Sequence, residues 1–226
     1  MIRPGSVKIC SLREVEHAQF VLDAGTDLFG LIFVPGVRRQ VTVERAHEIV
    51  CAVRARGESA PLAVGVFVDA AAEEINATVR DVGLDLIQLH GVEPSEMIAQ
   101  LDAPVIKVFR PKPGTDVGEV SQEIEQYLRA EVPPVAFLLD GYDTGRHGGS
   151  GTRTDWRLAA ELAADFPIVL AGGLTPENVG EAVESVAPLA VDVGSGVETD
   201  GVKDSAKVSA FVAAAIECFA RLSASA

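Results

Sequence analysis

Residues 62–91 read LAVGVFVDAAAEEINATVRDVGLDLIQLHG, and how this stretch divides decides the fold. Leu62–Asp69 is a continuous apolar run rich in valine. Ala71–Val82 then sets apolar residues at helical spacing and stops at Gly83, a residue suited to end a helix. Leu84–His90 is apolar again. Continuous rather than alternating apolar runs mark strands covered on both faces, which is the pattern of a parallel sheet. The stretch is therefore one strand–helix–strand unit.

The unit repeats in both directions. Further strands are predicted at Val7–Ser11, Leu28–Val34, Val105–Arg110, Val135–Asp140, Ile168–Ala171 and Ala190–Gly194. Between them, helices are predicted at Glu14–Ala24, Val43–Arg56, Ser95–Leu101, Val117–Ala130, Asp155–Ala164, Glu177–Val186 and Ala206–Leu222. Strict alternation implies a parallel sheet. An open, doubly wound sheet carries a glycine loop after its first strand; here that strand runs into Ser11–Leu12–Arg13. Eight strand–helix units fit a closed barrel, so the expectation is an α/β protein with a single (β/α)8 barrel domain spanning residues 1–226. Residues beyond Leu222 read as a frayed tail.

A formal net charge of −14 argues against nucleic acid as a partner. No apolar run reaches the roughly 18 residues of a membrane span. Met1–Val7 lacks a basic region followed by an apolar stretch, so no signal peptide is read there. The expectation is a soluble, cytoplasmic protein, monomeric or homodimeric. Cys10, Cys51 and Cys218 are odd in number and far apart, and the four histidines show no ligand spacing. No disulfide framework, metal site or cofactor is expected. Cys51 and Cys218 lie on predicted helices and read as core packing.

Barrel chemistry sits at the C-terminal ends of the strands. The first strand ends on Cys10, either a buried small hydrophobe or a thiolate able to act as base or nucleophile. The sixth ends on Asp140, either a loop cap or an acid in apolar surroundings that donates a proton. Arg39 follows the second strand, as a solvated charge or a fork for a carboxylate. His90 ends the fourth strand and either orients substrate or holds a loop carbonyl. Arg110 ends the fifth and is placed at the mouth. Asp69 is a hydrogen-bonding partner or a helix cap, and Lys8 points into the packed layers of the barrel. Three glycine-rich stretches follow late strands: Gly148–Gly149–Ser150–Gly151, Gly172–Gly173 and Gly194–Ser195–Gly196. Glycine lets backbone N–H groups approach an anion, and loops after strands seven and eight are the usual phosphate site of such barrels. A phosphorylated small molecule is the expected ligand.

These segments, in order, resemble the phosphoribosylanthranilate isomerase family of tryptophan biosynthesis. The likeness is carried by Val7–Cys10, Gly30–Pro35, Val64–Val68, Gln88–Gly91, Lys107–Arg110, Leu138–Asp140, Gly148–Gly151, Leu170–Leu174 with Asn178–Val179, and Asp192–Glu198 followed by Gly201–Asp204. The resemblance implies Cys10 as general base, Asp140 as general acid and Arg39 as anchor of the anthranilate carboxylate. Gly149, Gly151, Gly172, Gly173, Gly194, Ser195 and Gly196 would cradle the phosphate. It implies an Amadori rearrangement of N-(5-phosphoribosyl)anthranilate to 1-(2-carboxyphenylamino)-1-deoxyribulose 5-phosphate without a cofactor. The chain departs from the family pattern in three places. Ser11 stands where glycine is usual, and Gly36–Val37–Arg38–Arg39–Gln40 replaces Lys-Ser-Pro-Arg-Tyr. Gly194 replaces a serine. A paralogue acting on another phosphoribosyl arylamine, or an inactive phosphate-binding barrel, are the alternatives.

Overall fold

The apolar runs pair in chain order and close on themselves. The computed structural model describes residues 1–57, 60–142 and 154–225. Its eight parallel strands are β1 (Ser6–Ile9), β2 (Leu28–Ile32), β3 (Leu62–Phe67), β4 (Leu86–Leu89), β5 (Val105–Phe109), β6 (Ala136–Leu139), β7 (Ile168–Leu170) and β8 (Ala190–Val193). Each pairs with the next, and β8 closes the barrel on β1 with Lys8 opposite Asp192.

Helices α1 (Glu16–Ala24), α2 (Val43–Arg54), α3 (Ala72–Val82), α4 (Val117–Leu128), α5 (Trp156–Ala163), α6 (Val179–Val186) and α7 (Ser205–Ser225) stand between or after the strands. The expected frayed tail is instead the last turn of α7. The helix expected over Ser95–Leu101 is a 3-10 helix, Ser95–Gln100. Pro94 before it and Leu101 after it are extended, and the tighter 3-10 form, with its longer rise per residue, fits that short connection. After β8 the chain forms a 3-10 turn (Ser195–Val197) and a small antiparallel ribbon, β9 (Glu198–Thr199) with β10 (Val202–Lys203), which was not expected.

Side chains of one parity pack outward against the helices, among them Phe29, Ile87, Phe137 and Val191. Those of the other parity fill the barrel: Leu28, Val64, Leu86, Ile106, Leu138 and Val169. Each such large side chain contributes about 1.5–3 kcal/mol on burial. Because strand side chains alternate, the parity that puts Gln88 and Leu138 inside carries His90 and Asp140, two residues on, to the mouth. Lys8 and Asp192 share a layer of the interior, 3.0 Å apart, and Lys8 Nζ also donates to Gln88 Oε1 at 2.9 Å. The expected inward lysine is thus present with its partners, as burial of a charge demands.

On α2 the buried stripe is Ala46, Ile49, Val50 and Val53. Cys51 falls off that stripe and is exposed, which corrects its assignment to the core; Cys218 on α7 is buried as expected. Among the described residues, no helix is long and apolar enough to cross a membrane.

Candidate active site

A cavity of about 470 Å³ opens at the C-terminal mouth, lined among others by Cys10, Arg39, His90, Asp140, Gly172 and Gly194. Its size suits a small molecule. Residues from six different strand ends, far apart in sequence, meet there only because the sheet closes.

Cys10 follows β1, and its N–H donates to the Val193 carbonyl at 2.8 Å. Its sulfur lies flat on β2 at Gly30. A β-carbon at that position would stand 2.6 Å from the sulfur, so the approach requires glycine. Three cations interact with the sulfur: Lys8, Arg39 and Lys203. Burial pushes the Lys8 pKa down, but Asp192 and Cys10 beside it more than offset this and leave it raised. Burial brings Lys203 down to about 8, against the pull of Glu198 and Cys10. Lys203 Nζ donates to the Gly194 carbonyl at 2.7 Å.

Arg39 meets Glu198 of β9 in a two-pronged pair, with Nε and Nη2 each at 2.8 Å from a carboxylate oxygen. Arg38 adds a bond of 3.1 Å to the same carboxylate, and Lys203 approaches it at 3.4 Å. Burial alone would raise the Glu198 pKa; hydrogen bonding by Arg39, with Lys203 and Arg38, instead holds it at about 2. The Arg39 pair spends part of a guanidinium that has five N–H donors, and the Nη1–Nη2 edge keeps a carboxylate-shaped fork.

Asp140 follows β6. Its Oδ1 accepts from Gly141 N–H at 2.8 Å. His90 Nε2 stands 3.5 Å from Asp140 Oδ2. That is too long for a good hydrogen bond, and His90 Nε2 is indeed buried without such a bond. The histidine tautomer follows from its neighbours. Lys8 takes Gln88 Oε1, so the Gln88 amide nitrogen faces His90 Nδ1 at 3.3 Å and donates to it. With Nδ1 accepting from Gln88, Nε2 is the ring nitrogen placed to present its hydrogen toward Asp140. One polar chain thus runs Asp192–Lys8–Gln88–His90 through the barrel interior and ends beside Asp140.

Asp69 resolves to a hydrogen-bonding partner. Its Oδ1 accepts from Val92 N–H at 2.7 Å, while the residue capping α3 is Ala71. Nearby, buried Lys107 and Glu93 pair at 2.6 Å, and Glu93 Oε1 takes the Asp69 N–H at 2.9 Å. This pins the loops after β3 and β4 to β5.

In the loops after β7 and β8, Gly172, Gly173, Gly194, Ser195 and Gly196 all line the cavity. Gly172 and Gly173 take left-handed backbone, with φ of 82° and 66°, which side chains disfavour. Gly149 and Gly151 lie outside the described residues. Arg110 follows β5 and is not among the residues lining the cavity. Glu198, Lys203, Gln88 and Asp192 were given no individual role from sequence. Single polar residues next to strands carry no local signal; only closure of the barrel brings Glu198 to Arg39.

A closed (β/α)8 barrel with a thiol, a carboxyl and glycine loops around one mouth is the equipment of an enzyme that moves protons on an anionic small molecule. Comparison with known proteins makes this particular. The sequence matches the family N-(5'-phosphoribosyl)anthranilate (PRA) isomerase over residues 7–214. It is 44% identical over 215 residues to N-(5'-phosphoribosyl)anthranilate isomerase of Roseiflexus castenholzii, covering 92% of this chain and 97% of that one. The structure of phosphoribosyl anthranilate isomerase from Thermotoga maritima superposes with a TM-score of 0.79 at 32% identity, covering 95% of this chain and 98% of that one. The same measures are 0.76, 32%, 95% and 98% for an isomerase in complex with reduced 1-(o-carboxyphenylamino)-1-deoxyribulose 5-phosphate. The chain belongs to the phosphoribosylanthranilate isomerase family, enzymes of tryptophan biosynthesis.

Proposed function

We propose that this chain isomerises N-(5'-phosphoribosyl)anthranilate with Cys10 as general base and Asp140 as general acid. The observation that carries the assignment is one cavity lined by a thiol, a carboxyl and the glycine loops after β7 and β8, with Lys8, Arg39 and Lys203 near the thiol. The complex of a relative with a reduced product analogue supports the same ligand class.

Asp140 gives its proton to the ring oxygen of the furanose. The C1′–O bond breaks with its electron pair on that oxygen, leaving a protonated Schiff base. Cys10, as thiolate, takes the proton from C2′, and those electrons form the C1′–C2′ double bond of an enolamine. The C2′ hydroxyl then loses its proton and C1′ gains one, which gives the ketone. Substrate and product are isomers, so the protons balance. Arg39 holds the anthranilate carboxylate through its remaining fork, and the loops after β7 and β8 hold the phosphate. His90, which lines the same cavity, stands at the sugar between them.

The test is loss of anthranilate-type fluorescence when the protein meets freshly made phosphoribosylanthranilate, with Cys10→Ala as control. Rapid loss that depends on Cys10 supports the proposal. Absence of turnover in the unaltered chain sinks it.

A further inference from the structure

We propose that the hydroxyl of Ser11 is a phosphate-binding donor and supplies the side-chain half of a cradle otherwise made of backbone. The inference rests on reading the loops after β7 and β8 as the phosphate site.

Three observations carry it. Ser11 has a φ of 70°, in the left-handed region that favours glycine, so the backbone is strained by having a side chain there. The residue is buried and lines the cavity directly after Cys10. Among the described residues no hydrogen bond to its hydroxyl is found. A hydroxyl on strained backbone, open to a cavity and without a protein partner among the described residues, is available to a ligand there.

The hydroxyl has a defined target. It lies 3.6 Å from where a β-carbon on Gly194 would stand, over the first residue of the loop after β8. It is thus turned toward Gly194–Ser195–Gly196, the loop read as phosphate-binding. Its chain neighbours aside, nothing else among the described residues comes within 4 Å of that β-carbon position. Gly194 has a φ of −110°, outside the left-handed region. A serine at 194 would fit and bring its own hydroxyl to the same place. The two positions are interchangeable mounts for one donor.

The experiment measures inorganic phosphate affinity by calorimetry, Tm without ligand, and steady-state kinetics. It compares the unaltered protein, Ser11→Gly, and Ser11→Gly with Gly194→Ser. Ser11→Gly should weaken phosphate binding and raise KM about tenfold, as for loss of a bond to a charged group, with kcat within about threefold and Tm no lower. The double variant should regain most of the affinity. A structural role for Ser11 would instead lower Tm and leave phosphate affinity alone. Unchanged phosphate affinity in Ser11→Gly overturns the assignment, as does failure of the unaltered protein to bind phosphate at tens of millimolar. Phosphate binding that depends on Ser11 in a protein without turnover would leave the assignment standing and remove the isomerase reading.

Discussion

On the β1–β2–β8 side of the mouth, three cations interact with the Cys10 sulfur, and carboxylates hold each of them: Asp192 on Lys8, Glu198 on Arg39 and Lys203. On the β4–β6 side, Asp140 has one backbone N–H and an imidazole 3.5 Å away. No lysine or arginine ion pair to Asp140 is found among the described residues. The chain as a whole carries −14, so overall charge says nothing about either side. The difference teaches that the barrel separates two electrostatic jobs by strand position. Lys8, Arg39 and Lys203 surround the sulfur on one side, whereas among the described residues the other side offers Asp140 a backbone N–H and an imidazole. A base and an acid working at one pH need such opposed surroundings.

The strongest way to break this comparison is to remove one member from each side. Cys10→Ala and Asp140→Asn should each lower kcat by roughly 10²-fold or more, the range for loss of a positioned base or acid. Steady-state fluorescence assays check both. Near-normal turnover in either variant would end the division of labour.

Next in size is the Arg39–Glu198 pair, proposed to serve binding. Arg39→Ala should raise KM by roughly tenfold or more through loss of a charge-assisted fork, with a smaller change in kcat. Glu198→Gln should raise KM by less, about three- to tenfold, because Arg39 stays but loses its orientation. It should also change the pH dependence of stability. The Glu198 pKa is about 2 in the folded chain, below its ordinary value, so its contribution is complete above roughly pH 5 and is lost as pH falls toward 2. The stability curves of Glu198→Gln and the unaltered chain should therefore differ by about 3 kcal/mol at neutral pH and converge in acid. Parallel curves down to pH 2 would show that the carboxylate is not held as the geometry requires.

The two sides also differ in how legible they were. Cys10 and Asp140 could be found from sequence because each ends an apolar strand, and the two-residue period of a strand fixes which face the end residue joins. All eight strands were readable for the same reason, since a buried parallel strand is a continuous apolar run. The furnishing around Cys10 was not readable. Glu198 and Lys203 sit on a ribbon only two residues per strand, too short to show a period. Lys8 and Asp192 are 184 positions apart and become neighbours only when the barrel closes. Ser11 and Gly194, separate departures from the family pattern in sequence, turn out to face each other. The 3-10 helix at Ser95–Gln100 was read as α because apolar spacing does not separate the two forms in so short a segment.

A smaller effect sharpens the acid side. Gln88 faces His90 Nδ1, and His90 Nε2 lies 3.5 Å from Asp140, so under the proposed mechanism the histidine helps to position the acid. His90→Asn should lower kcat about three- to tenfold, leave KM nearly unchanged, and move the pH–kcat profile. Gln88→Leu should do the same, because it removes the partner that sets the tautomer. A kcat loss in His90→Asn without any move in the pH profile would make the residue a packing element only.

The smallest effect is expected farthest from both sides. Cys51 is exposed on α2, and among the described residues its sulfur has one hydrogen-bonding neighbour, His47 Nε2 at 3.4 Å. Replacing a surface side chain away from caps and networks shifts stability by less than about 0.5 kcal/mol. Cys51→Ser should therefore leave Tm and kcat/KM alone while removing the exposed thiol, so that a thiol reagent then reports on the buried cysteines. Gly30→Ala is its counterpart inside the site. The added methyl meets the Cys10 sulfur, so activity should fall sharply although no proton-transfer group is removed. If Cys51→Ser were the more damaging of the two, the thiol that matters would lie outside the barrel mouth.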